Sequence, residues 1–259
     1  MSIEVLTTIS ELSSRCLPGD RIFLDLDDTL IFSEPDASTR FEEAMKSAFE
    51  AQGVNANDIA RAATCELWQG MQNACQVHAV EGTTTIDSLK ILRDRGHELI
   101  GLTARSPELV NETLQHLKSC SLSEFFENSS LGVLAQPEEG DSRGPLIHEH
   151  GVIYCTGSRK LQAIVAYERQ RPSEDARIVL VDDLMKHLDA VRNGLVPLGR
   201  KFLGLHYTAF ADQAYEMPRL GVLLAGMMAN PKGRAHISKA MELIDAAEKE
   251  NAEPLQNAK

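Results

Sequence analysis

Three carboxylates, Asp25, Asp27 and Asp28, stand directly after the apolar run Ile22-Phe23-Leu24. Acids packed this closely repel one another, and the arrangement is costly unless a cation or a proton neutralises it. The apolar run reads as a buried strand of the parallel type. The acids then fall at its carboxyl end, on the rim where open α/β sheets bind ligands, which points to a reaction built around a metal ion. Two blander readings fit less well. A calcium loop needs Gly at its sixth position and Glu at its twelfth, and here those are Leu30 and Asp36. A solvated acidic turn gives no reason for the strand in front.

Two further strands are expected to end in polar residues. Leu99 to Leu102 leads into Thr103, and Ile178 to Val181 runs into Asp182-Asp183. Lys160 falls in the first turn of the helix before that last strand. In a parallel sheet these ends lie along one edge and can converge. A carboxylate cluster, a hydroxyl and a cation make a coherent site for phosphoryl transfer, where catalysis is largely positioning and neutralisation of the phosphoryl oxygens.

Within that chemistry Asp25, at the strand end, is the candidate nucleophile, forming an aspartyl-phosphate. Asp27 is expected on the same side by the period of two and serves as general acid and base, with neighbouring carboxylates raising its pKa. Mg²⁺ suits an all-oxygen site and keeps some waters. Asp25 and Asp183 are the expected direct ligands, the main-chain carbonyl of Asp27 a third, and Asp182 a ligand directly or through water. Thr103 and nearby main-chain N–H groups, with Ala104 next in the chain, would hold the phosphate. Arg105 is a candidate phosphate contact, weighed evenly against a surface or helix-capping role. Arg159 is a second candidate for the cation, but a helix start presents only some side chains to the rim, which favours Lys160. Asp28 has no catalytic role to fill.

The elements that must position these residues are read from apolar spacing. Ile3, Leu6, Ile9 and Leu12 predict a helix over 2–16, ended by Pro18-Gly19-Asp20. Residues 34–79 read as a small helical lobe, with Phe41, Met45 and Phe49 on one helix and Leu67, Trp68 and Met71 on another. Ile86, Leu89 and Leu92 mark a helix that Gly96 ends in the left-handed conformation. Ser106-Pro107-Glu108 predicts a capped helix start, with Leu109, Val110, Leu114 and Leu117 buried. Residues 137–151 read as an exposed excursion, His148-Glu149-His150 as its solvated tip, and Gly151 to Cys155 as one arm of a hairpin. Ser158 is expected to cap a helix carrying Leu161, Ile164 and Val165. Phe202 to Leu205 predicts the last strand. The chain after Pro218 reads as helical, with Leu220, Leu223, Leu224 and Met227-Met228 packing against the body or forming a dimer surface. Strands alternating with helices predict an α/β fold with a parallel, doubly wound sheet.

Composition narrows the partners. A net charge of -12 argues against nucleic acid or an anionic membrane as the main partner. Five scattered cysteines without a Cys-x-x-Cys pair argue for reduced thiols in a cytosol rather than a disulfide framework or zinc knuckle. There is no basic patch followed by an apolar h-region near the N-terminus. The apolar stretch from Leu220 to Ala229 is too short to span a membrane. The expectation is a soluble, cytoplasmic protein, with secretion lacking a signal peptide left open.

The segments DLDDTL, the Thr after Ile-Gly-Leu, Lys160 and VLVDD together resemble the four motifs of the haloacid dehalogenase (HAD) superfamily, over roughly residues 20 to 210. The spans VEGTTTIDSLKILRDRGHELIGLTARS and GVIYCTGSRK resemble a little-characterised bacterial branch of it. The resemblance implies a Rossmann-like core, placed over 1–33 and 80–215, and a helical cap over 34–79 inserted after the first motif; the helical pattern after Pro218 adds a C-terminal helical extension over 216–259. It also implies Mg²⁺ and a phosphorylated substrate, small molecule or phosphoprotein. The superfamily's dehalogenases and P-type ATPases generally lack an acid at the position of Asp27, whereas its phosphatases and mutases have one. Hydrolysis of a phosphomonoester is therefore the leading expectation. A phosphomutase, and a catalytically silent HAD-fold protein that binds a partner, are the alternatives. One departure stands out: after the paired acids many members carry Asn or Asp, and here His187 occupies the Asn position with Asp189 two residues on.

Overall fold

The computed structural model describes residues 2–34, 58–72, 74–126, 129–141, 143–173, 175–209 and 220–252, and the side chains of all of these except 58–61, 220–224 and 247–252. Phe41, Met45, Phe49 and Pro218, and the side chains of Leu220, Leu223 and Leu224, lie outside that description. The chain divides into two compact units, Met1–Phe32 with Val77–Gln213, and Ser33–Gln76 with Ala214–Lys259.

The strands in chain order are β1 (Ser2–Leu6), β2 (Arg21–Leu24), β3 (Ile31–Glu34), β4 (Gln76–Ala79), β5 (Glu98–Thr103), β6 (Gly132–Ala135), β7 (Leu146–Glu149), β8 (Val152–Tyr154), β9 (Ile178–Asp182) and β10 (Phe202–Tyr207). The helices are α1 (Leu12–Arg15), α2 (Asp58–Met71), α3 (Thr83–Asp94), α4 (Val110–Ser119), α5 (Lys160–Gln170), α6 (Met185–Leu195), α7 (Leu220–Ala229) and α8 (Pro231–Ala252).

Among the described residues, eight strands of the first unit form one sheet in the order β1-β10-β9-β2-β5-β8-β7-β6. Neighbours from β1 through β8 are parallel, and β7 and β6 run antiparallel at one end. Every residue of β2 and β9 is buried, because helices cover both faces, as a parallel sheet requires. Alternation divides the side chains. Ile22, Leu24, Val179 and Val181 enter one core with Leu89 and Leu92 of α3. Phe23, Ile178 and Leu180 enter the other with Ala163, Ile164 and Tyr167 of α5 and Leu188 and Val191 of α6. The result is a three-layer, Rossmann-like α/β fold.

Strand order decides where a ligand can sit. From β2 the chain steps outward to β5 and β8, then crosses back to β9 on the opposite side of β2. The order therefore reverses at β2, and the crevice of such a sheet opens beyond the carboxyl ends of the strands at that point.

Several local expectations are corrected. Residues 2–6 are strand β1, not helix, followed by a short 3-10 turn and the four residues of α1. In a strand, residues three apart face opposite ways: Leu6 enters one core, and Ile3 packs on the other. The excursion expected over 137–151 contains β7, which pairs with β8 across His150 and Gly151, both at positive φ (51° and 74°), as a two-residue hairpin turn demands. His148 is no solvated tip. It is 1% exposed, and its Nδ1 accepts from the Leu131 N–H at 3.2 Å. Ser106 and Ser158 do not cap by side chain: the chain after Ser106 first makes a 3-10 turn over Pro107–Leu109, and the N-cap of α5 is Arg159.

In the second unit Met71 of α2 and Met227 of α7 are buried, with Leu67, Trp68 and Ile237 packed on them. Gly70 permits the approach, since a Cβ there would stand 2.5 Å from Met227 Cε. Glu66 binds His236 at 2.8 Å and Lys239 at 2.5 Å, so the segment inserted within the Rossmann-like unit in sequence and the segment that follows it share this unit. Among the described residues, no helix is long and apolar enough to cross a membrane.

Candidate active site

The chain leaves β2 through a tight turn. The Asp25 N–H still donates to Val181 O at 2.9 Å, one step past the strand. The Leu26 carbonyl then accepts from the N–H groups of Thr29, Leu30 and Ile31 at 3.3, 2.9 and 2.9 Å. Asp28 takes the left-handed conformation this fold-back needs (φ 57°), which Asp tolerates better than most residues. Leu26 and Leu30 anchor the turn in the core, and Thr29 Oγ1 accepts from the Asp183 N–H at 3.1 Å. Asp28, which had no assigned role, is the hinge of this turn.

Asp25, Asp182 and Asp183 each bring a carboxylate oxygen into one cluster, all within 4.8 Å of one another. Lys160 Nζ lies 2.6 Å from Asp25 Oδ1 and 2.6 Å from Asp182 Oδ2. Asp182, with no exposed surface, also accepts from the Leu184 N–H at 2.9 Å and lies 3.1 Å from His187 Nδ1. A carboxylate only accepts, so His187 carries its proton on Nδ1.

These contacts separate the three acids. Burial pushes the Asp25 carboxyl up, Lys160 opposes, and repulsion from Asp182 leaves it at about 6. Burial would raise Asp182 too, but Lys160 and His187 hold it below the usual carboxylate range. Asp183 is pushed up to about 9 by burial and by the charges of Asp25, Asp182 and Asp28, against which Lys160 is a small offset. Burial disfavours the charged form of Lys160, yet Asp182 and Asp25 outweigh it and keep the ammonium protonated. Three carboxyls against one ammonium leave an excess of negative charge on hard oxygen donors. That donor set fits Mg²⁺: Asp25 and Asp183 have oxygens to offer, while both oxygens of Asp182 already have donors.

Asp27 is placed differently from the sequence expectation. β2 ends at Leu24, so the period of two does not carry on to residue 27. Its carboxylate stands outside the acidic cluster and faces Arg105, which donates through Nε to Oδ2 at 2.9 Å and through Nη2 to Oδ1 at 2.6 Å. Burial alone would raise Asp27, but the guanidinium's charge and hydrogen bonds hold it below the ordinary value. The expected upward shift is thus reversed, because the nearest partner is a cation rather than another acid. Arg105 is 1% exposed, so it is not a surface residue, and its guanidinium nitrogens are taken up by Asp27, Thr113 and His116.

The two candidate cations also part. Arg159 turns to the loop before β7, donating from Nε to Cys155 O and from Nη1 to Gly144 O, both at 2.8 Å, whereas Lys160 reaches the acids. Thr103 is fully buried, and its Oγ1 accepts from the Arg105 N–H at 3.1 Å. The next carbonyl, of Ala104, accepts from the Gly157 N–H at 2.7 Å, tying the loop after β5 to the turn before α5. Asp189 pairs with Arg192 at 2.8 Å, away from the cluster.

All of these residues lie in a stretch that has counterparts in other proteins. Residues 6–222 match the sequence model of a family described as a protein of unknown function, DUF2608. The chain belongs to that family. No curated protein matches it, and no solved structure does.

In this DUF2608 chain the residue that sequence reasoning misjudged most is Arg105, and the partners it overlooked are Thr113 and His116. Leu109, Val110, Leu114 and Leu117 were expected to be buried. Leu109 and Leu117 are, but Val110 and Leu114 are only partly so, and Glu112, Thr113 and His116 are buried beside them. The signal was present: polar Glu112, Thr113 and His116 recur at helical spacing on one side of a short helix, close after a buried arginine.

Proposed function

We propose that this DUF2608 protein is an Mg²⁺-dependent phosphomonoester hydrolase that works through an aspartyl-phosphate on Asp25. The observation that carries the reading is the convergence of Asp25, Lys160, Asp182 and Asp183 at the switch point of the sheet, with carboxylate oxygens within 4.8 Å of one another.

With a pKa of about 6, Asp25 is a carboxylate at neutral pH and can attack phosphorus. The P–O bond to the leaving oxygen breaks, that oxygen takes a proton from solvent water because Asp27, held below the ordinary carboxylate range by Arg105, is already ionised, and an acyl phosphate remains on Asp25. Water then attacks the same phosphorus, gives its proton to Asp27, which passes it to solvent, and frees Asp25 with inorganic phosphate. Lys160 and the Thr103 hydroxyl, with the main-chain N–H of Ala104 beside it, would face phosphoryl oxygens. Mg²⁺ held by Asp25 and Asp183, with Asp182 beside them, would supply charge to neutralise those oxygens.

The test is phosphate release from 4-nitrophenyl phosphate, with Mg²⁺ or with a chelator, beside Asp25→Asn. The wild type should turn over only with Mg²⁺, and Asp25→Asn should lose at least about 10³-fold, as removal of a nucleophile does. Turnover that survives either change rejects the mechanism. Failure of the wild type across a broad phosphomonoester panel would move the reading to a binding protein of this fold.

A further inference from the structure

Resting on the hydrolase reading, we infer that Arg105 is a positioning residue for Asp27, and that Thr113 and His116 of α4 hold Arg105 in that position. The chain of contacts runs inward from the rim. Asp27 keeps 28% of its side chain exposed, whereas Arg105 keeps 1%. Two nitrogens of the guanidinium grip both oxygens of Asp27, at 2.9 and 2.6 Å. The third nitrogen, Nη1, lies 3.1 Å from Thr113 Oγ1 and 3.1 Å from His116 Nδ1. Arginine only donates, so His116 Nδ1 must accept, with the ring proton on its other nitrogen.

A planar fork that meets a carboxylate with two parallel bonds fixes its plane as well as its distance. A single lysine-like contact would leave the carboxylate free to rotate. The fork itself cannot turn away, because its remaining nitrogen is tied to two side chains one helical turn apart. This accounts for the buried polar residues beside Leu117 on a helix expected to bury apolar ones: α4 provides the acceptors that a buried guanidinium needs. Arg105 then acts on the reaction through Asp27, and its contacts with Asp27, Thr113 and His116 leave it poorly disposed to take a phosphate.

The experiment compares wild type, Arg105→Met, Arg105→Lys and Thr113→Val by steady-state kinetics on 4-nitrophenyl phosphate with Mg²⁺, with inorganic phosphate as competitive inhibitor and a thermal melt of each protein. A misplaced reacting group costs about 10²-fold, so Arg105→Met should lose kcat by about that factor at nearly unchanged KM. Its inhibition constant for phosphate should stay within about twofold, since a positioning residue contributes little to binding. Arg105→Lys should recover part of kcat, and Thr113→Val, which removes one neutral acceptor, should lose roughly 3- to 10-fold. Should Arg105→Met fail to fold, the kcat of folded Thr113→Val decides. Unchanged kcat in these variants overturns the role, as does weakened phosphate inhibition at full kcat, which would make Arg105 a substrate contact. A wild type without turnover on any phosphomonoester overturns the hydrolase reading and this role with it.

Discussion

Nζ of Lys160 stands 2.6 Å from Oδ1 of Asp25, with 2% and 8% of the two side chains exposed. Taking both charges out of water is expensive, so the pair is weak evidence of stability in itself. Breaking it is another matter. Lys160→Met would leave Asp25 and Asp182 facing each other without a cation, and loss of one partner of a buried pair costs about 3–5 kcal/mol. Urea denaturation of the metal-free protein should show that loss. Adding Asp182→Asn should restore part of it by removing one of the stranded charges. A Lys160→Met protein as stable as wild type would show that the ammonium is not the counter-charge of this cluster.

Asp183 leads to a prediction about protons. Its pKa of about 9 in the metal-free protein, against an ordinary 3.8, means that it carries a proton at neutral pH. A divalent cation needs the carboxylate, so binding must expel that proton. Calorimetric titration with Mg²⁺ at about pH 7, in buffers of different ionisation enthalpy, should report release of about one proton per ion. Affinity should rise with pH until the carboxyl is ionised on its own.

The same shift has a consequence for stability. A group with a raised acid pKa binds a proton in the folded protein that the unfolded chain has already lost, so in chelator stability should fall as pH climbs from about 4 towards 9. Asp27 and Asp182 act in the opposite sense and in a different window. Their lowered values add stability above the unfolded carboxylate range, and that contribution is lost as pH falls below it. Thermal melts in chelator and in Mg²⁺ across this range separate the two. Identical pH dependence with and without Mg²⁺ would contradict the assignment of Asp183.

The Rossmann-like sheet and the rim positions of Asp25, Thr103, Lys160, Asp182 and Asp183 were legible because each follows from a local pattern. An apolar run long enough for a buried strand ends at a defined residue, and the residue after it must lie at the sheet edge. What was not legible depended on side chains meeting across elements. Asp27 and Arg105 are 78 positions apart, and nothing near either residue encodes the other. Periodicity failed where two spacings coincide: Ile3 and Leu6 fit one helix face, but also the two faces of the edge strand they form. β6 escaped because it is a short edge strand with Val133 46% exposed, so it lacks the apolar run that marked the central strands.

Arg159 sits next to Lys160 in sequence but serves a different part of the fold. Besides Cys155 O and Gly144 O, it contacts Arg143 O at 3.3 Å and Asp141 at 3.4 Å, so one side chain gathers the loop that precedes β7. Replacing it with Ala removes several hydrogen bonds, each worth about 0.5–1.5 kcal/mol net. Local opening of the loop should become easier. Limited proteolysis should then cut Arg159→Ala between residues 137 and 145 faster than wild type, while phosphate release stays within a few-fold. A collapse of turnover with an intact loop would return Arg159 to the list of candidate cations.

His187 supports the cluster from behind. Its Nδ1–H lies 3.1 and 3.3 Å from the two oxygens of Asp182, and Asp182 in turn holds Lys160. Groups that orient metal-binding residues from outside the first ring of ligands typically matter 10- to 100-fold in metal affinity. His187→Phe keeps the ring but removes the donor, so the Mg²⁺ concentration for half-maximal phosphate release should rise by about that factor. His187→Asn places an amide N–H close to where Nδ1–H stood and should retain much of the affinity. The comparison matters because Phe preserves volume and Asn does not. If packing were the role of His187, Phe would be the milder change and Asn the damaging one; if the hydrogen bond to Asp182 is the role, the order reverses.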